Sequence, residues 1–370
     1  MNICLLGDGC SPIIRSWVDY FAEQHHEVSL ITANMKTPDF TANKEYTYVF
    51  RVSDEQPKKV LTFLRIIWRT RQIIKHLRPD VIHAHSMYVY GVPAALSGFH
   101  PFVGTQMGDD LGVLTYKSWI GRHAVRYVLK KTDALFAKDI YAWERAEQLG
   151  CKREKIHLMT STCDTGRFAP SARLESLRAS LGVDPNDVLA IFTRPFTDQY
   201  RVECLEKALN HVFASTGDVK ILLLERGNYE RYKERLTCNH VIWHPAIPHE
   251  EFHKYLASSD LFIDTFVPRD GMLGHAHGTA VVEAMACGLP LILPDKPEFH
   301  FPWFNATLFP IEDPVKFASE ITWLASNSAM RKVMGDRARE LAVQYFDRSV
   351  VMGRAMAIYK SLGEAREHGH

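Results

Sequence analysis

Short apolar runs rich in β-branched residues alternate along the chain with longer amphipathic stretches. "NICLLG" leads into a segment of helical period over 11–25, and "EVSLIT" with "YTYVFRV" into another over 57–77. "DVIHAH" precedes 88–97, "PFVGTQ" precedes 118–131, "DALFAK" precedes 139–149, and "KIHLMT" closes the series. This rhythm predicts βα units repeated over a mostly parallel sheet. After "CDTGRFAPSARLESLRASLGVDPND" it restarts with "VLAIFTR", "VKILLLE", "HVIWHP", "DLFIDTF" and "LPLILPD", each separated by helical spacing. The pattern therefore predicts an α/β chain of two doubly wound, Rossmann-like domains. Ligands of such sheets sit beyond the carboxyl ends of the strands, so the chemistry is expected in a cleft between them. From about 312 the pattern is helical only, ending in the polar "EAREHGH". The boundaries expected are 1–180, 181–345, and 346–370 for a terminal helix returning to the first domain plus a tail, with the linker near 162–186.

Length and composition agree with two domains, since 370 residues at 46% hydrophobic content exceed the usual single core. Seven cysteines without a C-x-x-C pair argue against a disulfide framework and a structural zinc site. The apolar run at the start is too short for a signal peptide and lacks a basic leader, and no stretch reaches membrane-spanning length. A cytoplasmic protein is expected, either free or peripheral at the inner face of a membrane. Residues 1–180 hold 24 Lys+Arg against 18 Asp+Glu and residues 181–370 hold 20 against 25, so the halves carry +6 and −5. That asymmetry falls short of the concentrated basic face of a nucleic-acid binder, and no nucleic-acid partner is expected.

The first turn, "GDGCSP", has Pro12 where G-x-G-x-x-G needs its third glycine, so the dinucleotide fingerprint fails. Neither a P-loop nor a D-x-D is present, so bound phosphates would have to be met by protein groups. "GHAHGTAVVEAMACGLPLI", residues 274–292, supplies such groups. A loop of small residues runs into a helix at Gly278 and Thr279, whose unpaired amides and dipole suit an anion. Glu283 lies about one turn further in, where a carboxylate could accept the hydroxyls of a ribose. The other reading of Glu283 is a charge that complements the helix dipole from an exposed face.

"HGTAVVEAMACGLPLI" resembles the signature of retaining glycosyltransferases of family four, which have the GT-B fold of two facing Rossmann-like domains. The likeness extends over nearly the whole chain. "GDGCSPIIRSWVDYFAEQHHEVSLIT" is similar to the family's first βαβ unit, and "LRPDVIHAHSMYVYGVPAAL" to its middle strand. "GCKREKIHLMTSTCDTGRFAP" is similar to the segment before its linker, "IPHEEFHKYLASSDLFIDTF" to the strand before the signature, and "RKVMGDRARELAVQYFDRSVVMGRAMAIYKSL" to its terminal helices. The resemblance implies an acceptor-binding N-terminal domain, a C-terminal domain for a nucleotide-diphosphate sugar, and contact of Glu283 with the donor ribose. No cofactor or metal is implied. His275 stands where the family has its first glutamate, near the donor sugar. Arg194 is followed by Gln199 where the family has an arginine and a lysine on the diphosphate, with Arg201 two residues on as the candidate second cation.

Breaking a sugar–phosphate bond builds negative charge on the diphosphate, which fixed cations and amides can stabilise. Arg194, Arg201 and the amides at Gly278 and Thr279 are assigned that role, with His275 as the group at the sugar. His277 and Gly9 are counted with the donor site. An acid-paired arginine at a strand end is the plainer reading of Arg194. His275 with His277, and His83 with His85, are spaced to ligate zinc if they converged, but neither pair has a cysteine or carboxylate at ligand spacing. In "GTQMGDDL" Asp109 and Asp110 are placed on the acceptor side, or else they cap the next segment. Met107 offers no base there. Front-face attack, in which the departing diphosphate takes the acceptor proton, needs none and is the mechanism that the resemblance implies.

These readings lead to a metal-independent, retaining glycosyltransferase acting on a glycan or lipid-linked acceptor. A nucleotide-sugar epimerase or phosphorylase on the same fold, and a non-catalytic subunit, are the alternatives. Residues 58–79 carry seven Lys+Arg and no acid. Val60, Phe63, Ile66, Ile67, Ile73, Ile74 and Leu77 share one broad face of the predicted helix, while Leu61, Leu64 and Trp68 form a second, narrower strip. Arg65, Arg71 and Lys75 surround that strip, which suits either an anionic membrane surface or a packing contact.

Overall fold

The structure, a computed structural model, describes residues 1–33, 46–53, 60–107, 110–266, 278–295, 306–310 and 312–368. Those residues form two compact units: Met1–Thr160 with the chain from Ser349 onward, and the residues between Ser161 and Arg348. The strands of the first are β1 (Asn2–Leu6), β2 (Glu27–Ala33), β3 (Thr47–Ser53), β4 (Val81–His85), β5 (Phe102–Thr105), β6 (Ala134–Ala137) and β7 (Ile156–Leu158). They lie in the order β3-β2-β1-β4-β5-β6-β7, parallel at every pairing. The second unit holds β8 (Val188–Phe192), β9 (Val219–Glu225), β10 (Val241–Pro245), β11 (Leu261–Ile263), β12 (Leu291–Pro294) and β13 (Thr307–Phe309). Their order, β10-β9-β8-β11-β12-β13, is again all parallel. Each sheet reverses its winding between its first and fourth strands, and that switch point is where doubly wound sheets bind ligands.

In the first unit the helices are α1 (Pro12–Glu23), α2 (Val60–Leu77), α3 (Gly91–Ser97), α4 (Val113–Lys117), α5 (Trp119–Lys131) and α6 (Ile140–Gln148). In the second they are α7 (Glu175–Ser180), α8 (Val202–Ser215), α9 (Glu230–Lys233), α10 (His249–Ala257), α11 (Thr279–Ala286), α12 (Pro314–Ser326) and α13 (Ser328–Leu341). Last comes α14 (Arg348–His368). Among the described residues no helix is long and apolar enough to cross a membrane.

Helices cover both faces of each sheet, which is why the central strands β1, β4, β8 and β11 are buried along nearly their whole length and not on alternate residues. Ile3 and Leu5 of β1 enter one core with Trp17, Val18 and Phe21 of α1 and Met352, Ala355 and Tyr359 of α14. Cys4 and Leu6 enter the opposite core with Ile66 of α2, Ala94 of α3 and Val125 of α5. Pro12 begins α1 with a preset φ, and Ile14, Trp17, Val18 and Phe21 then fall on one stripe. The sheet of the second unit is covered by α8 and α12 on one face and by α10, α11 and α13 on the other.

Three expectations need correction. Residues 161–180, assigned to the first domain, belong to the second unit. Phe168 lies in its core, and the Arg178 guanidinium ties α7 to it by donating to Asp260 and to the carbonyls of Ser258 and Asp187. Val60, placed on the core face of α2, is 76% exposed because it opens the helix a turn ahead of Phe63, the first side chain to reach the core, where it stacks on Tyr88. The pattern also gave no strand after "LPLILPD", and β13 pairs with β12 there. Leu61, Leu64 and Trp68 stand exposed beside Arg65, Arg71 and Lys75, as the wheel predicts.

Candidate functional site

At the switch point of the second sheet, Arg194 follows β8 and Asp264 follows the neighbouring β11. The guanidinium grips the carboxylate with two donors of one edge, Nε to Oδ1 at 3.0 Å and Nη2 to Oδ2 at 2.6 Å. It packs against the rings of Tyr200 and Phe266, 5.4 and 5.2 Å from their centroids, and the two rings also touch each other. Burial works against its charge, but Asp264 outweighs burial and holds the pKa above the ordinary arginine value. Arg194 is thus the acid-paired arginine of the plainer reading, and it is also a cation fixed at the carboxyl end of the sheet. Asp264 escaped the sequence reading. Its one signal is that it is the carboxylate ending a wholly buried strand.

The start of α11 meets this guanidinium. A Cβ added at Gly278 would lie 3.0 Å from Arg194 Nη2 and 3.6 Å from Nη1, so glycine is what lets the two approach. Gly278 caps α11 with its carbonyl, which accepts from the amides of Val281 and Val282, while no acceptor among the described residues takes the amides of Gly278, Thr279 or Ala280. Three donors and a guanidinium edge therefore converge on one small region, the arrangement that binds an anion.

Glu283 follows one turn later and is 4% exposed, which overturns the reading of an exposed charge complementing the dipole. It faces α10, where His249 Nε2 lies 2.7 Å from Oε1. Burial raises its pKa above the ordinary 4.5, and the His249 bond, followed by the nearby Arg167, offsets part of that rise. His249 was quoted in the sequence reading only as part of a longer likeness.

Arg201 caps α8 in the left-handed region at φ 49°, with its Nε buried and unpartnered among the described residues. His275, His277 and Asp109 lie outside the described residues.

In the first unit, Gly9 donates its amide to Thr32 Oγ1 at 3.0 Å and accepts from Arg15 Nε. Asp110 accepts from Ser86 Oγ and from the amides of Met87 and Met107, so it caps the turn after β4, with its carboxyl pushed up to about 6 by burial. His83 is held by Tyr359 and Thr105. His85 ends β4 beside Trp17, with neither ring nitrogen bonded. Among the described residues no cluster could hold a metal ion, so these two histidines form no zinc site.

Two doubly wound sheets, one ending in an arginine, a helix start and a buried glutamate, define an enzyme of the GT-B fold. A Glycosyl transferase 4-like model matches residues 2–139 and a Glycosyl transferases group 1 model matches residues 175–341, so the chain is a glycosyltransferase of this type. It is 22% identical over 360 residues to N-acetyl-alpha-D-glucosaminyl L-malate synthase of Bacillus anthracis, covering 91% of this chain and 90% of that one. It is 23% identical over 309 residues to a GDP-mannose-dependent alpha-mannosyltransferase of Mycolicibacterium smegmatis, covering 78% and 76%. Among solved structures, Anabaena HepE in complex with UDP superposes with a TM-score of 0.78 at 17% identity, covering 98% of this chain and all 100% of that one. Sucrose-phosphate synthase of Thermosynechococcus elongatus gives 0.80 at 17% identity, covering 99% and 100%. Likeness at such identities establishes the fold.

Proposed function

We propose that this glycosyltransferase moves a hexose-type sugar from a nucleoside-diphosphate donor to a glycan or lipid-linked acceptor, with retention of configuration and without a divalent metal. The observation that carries the reading is the arrangement along one helix. The free amides of Gly278 and Thr279 beside Arg194 form an anion-binding end, and Glu283 is a buried acceptor further along α11. Four residues of helix rise about 6 Å, a separation that suits a diphosphate and the ribose attached to it. That a relative uses GDP-mannose and that HepE binds UDP support a nucleotide-sugar donor, with the base left open between guanine and uracil.

As the sugar–phosphate bond breaks, charge accumulates on the diphosphate oxygens, where fixed donors in a dry site act most strongly. The amides and the guanidinium edge take that role, Arg201 adds a second cation, and the departing diphosphate accepts the acceptor's proton. His275 and His277 are assigned to hydroxyls of the donor sugar, and Asp109 to the acceptor. The exposed strip on α2, with Trp119 and Ile120 exposed on α5 of the same unit, supports a lipid-linked acceptor and a place at the cytoplasmic face of a membrane.

Glu283→Gln keeps the shape but removes the charge, and should weaken UDP or GDP binding by about 1.5 to 3 kcal/mol in calorimetry. Unchanged affinity rejects the assignment. Turnover should persist in excess EDTA, and a loss restored by magnesium or manganese rejects the metal-free mechanism. Release of free nucleoside diphosphate separates transfer from epimerisation.

A further inference from the structure

We infer that His249 is the positioning residue of the Glu283 carboxylate, holding Oε1 so that Oε2 is the oxygen presented to the ribose hydroxyls. The inference rests on the reading of Glu283 as the ribose acceptor and adds to it the group that orients that acceptor.

The first argument is geometric. Nε2 and Oε1 are 2.7 Å apart, a full-strength hydrogen bond between a ring that is partly exposed and a carboxylate that is sealed. Oε2 has no hydrogen bond from any described residue. The neighbours of Glu283 one turn away on the same helix are Thr279, Ala280, Ala286 and Cys287, and none of them makes a hydrogen bond to the carboxylate. Its orientation therefore comes from across the gap, from the first residue of α10.

The second argument is that the imidazole is itself held. Its ring is 5.7 Å from that of Phe168 and stacks on Phe252 at 6.5 Å. Its carbonyl accepts from Arg167 Nη2 at 3.1 Å, and that guanidinium also lies over the Phe168 ring. Arg167 and Phe168 come from the segment leading into α7, so His249 is held by its own helix and by a second stretch of chain against a carboxylate on a third. A ring so restrained loses little freedom when it forms its bond, which is what makes it effective in setting direction.

Without the imidazole, a buried carboxylate that has no other hydrogen bond from a described residue would turn or take up a proton, and either change removes the aimed acceptor. The phosphate-binding end of α11 does not touch His249, so its contribution should survive. Loss of His249 should accordingly affect recognition of the ribose hydroxyls and leave the rest of nucleotide binding intact.

Calorimetry with UDP, GDP and their 2′-deoxy counterparts tests this on the full chain. The wild type should prefer the ribonucleotide by on the order of tenfold, the weight of one good hydrogen bond. Glu283→Gln should abolish the preference. His249→Ala should reduce it to about threefold or less and weaken ribonucleotide binding more than 2′-deoxynucleotide binding, and the 2′-deoxynucleotide binding that remains reports that the variant is folded. His249→Gln, which keeps a donor at similar reach, should restore the preference. If His249→Ala retains the wild-type preference, or loses affinity for both nucleotides equally, the positioning role is overturned while the ribose reading stands. If the wild type binds neither UDP nor GDP, or shows no preference that Glu283→Gln removes, the donor reading itself fails.

Discussion

His85 is a neutral imidazole sealed at the end of β4, and folding has to keep it neutral. Burial, reinforced by Lys138, pushes its pKa down from 6.5 to about 3. The unfolded chain takes up this proton near 6.5 and the fold refuses it until about 3, so His85 costs stability progressively as pH falls through that window. Asp110 acts in the opposite sense. Its carboxyl, raised by burial from 3.8 to about 6, keeps its proton in the fold after the unfolded chain has released it, so its contribution declines as pH rises from 3.8 to about 6. His85→Leu removes two unsatisfied buried nitrogens at little change in volume. The variant should melt higher than the wild type, with a larger gap at pH 4.5 than at pH 7, and equal gaps would show that His85 takes no part in acid sensitivity. Residues of this kind mark how far the sequence could be read. Arg194 and Glu283 stand out because they are charged groups at the carboxyl end of a strand and inside an apolar helix. Their partners Asp264 and His249 do not, because each pairing joins segments distant in the chain and follows from tertiary packing alone.

Elements carry their own constraints, and α11 depends on how closely α13 approaches it. A Cβ added at Gly335 of α13 would lie 2.1 Å from the carbonyl oxygen of Gly288, just after α11, and 3.1 Å from its carbonyl carbon. Backbone must move to admit it, and overpacking of this kind costs about 1 to 3 kcal/mol. Gly335→Ala should lower the melting temperature and weaken nucleoside-diphosphate binding as α11 shifts. Gly353→Ala on α14, where an added Cβ meets nothing, should leave binding unchanged and hold or raise stability. If Gly335→Ala binds and melts like the wild type, the packing of α11 on α13 is looser than this geometry implies. The α2 strip is a second case. Leu61 is 81% and Trp68 62% exposed, on a helix without acidic residues. Sedimentation with liposomes should show binding that requires anionic lipid, weakens with salt, and drops when Leu64 and Trp68 become serine. Absence of binding by the intact protein at any salt concentration rejects the membrane reading. Helices of this length are legible because their apolar stripe repeats over several turns. A three-residue strand such as β13 has no period to read, and the start of a helix such as Val60 has the right phase without a neighbour to pack on.

At the scale of the whole molecule the two sheets share one winding order on sequences without an internal repeat, so the architecture is set by the alternation of buried strand and amphipathic helix, which was legible. The seam between the units was not. Thr160 and Ser161 are divided by where Phe168 and Arg178 pack, and nothing in the linker's composition announces that. At the other end, the backbone of Cys163 pairs with that of Asp347 before α14 leaves for the first unit, so the described residues pass between the units after Thr160 and again after Arg348. That return has a consequence for synthesis. The second unit has all its residues once Arg348 has been made, whereas one core of the first unit still lacks Val351, Met352, Ala355 and Tyr359. A nascent chain, which generally folds its N-terminal domain first, must here complete that domain after the residues of the second unit have been made. Until α14 has emerged from the ribosome, α1 and its sheet have an apolar face uncovered, and in that interval the growing polypeptide is a candidate for chaperone binding.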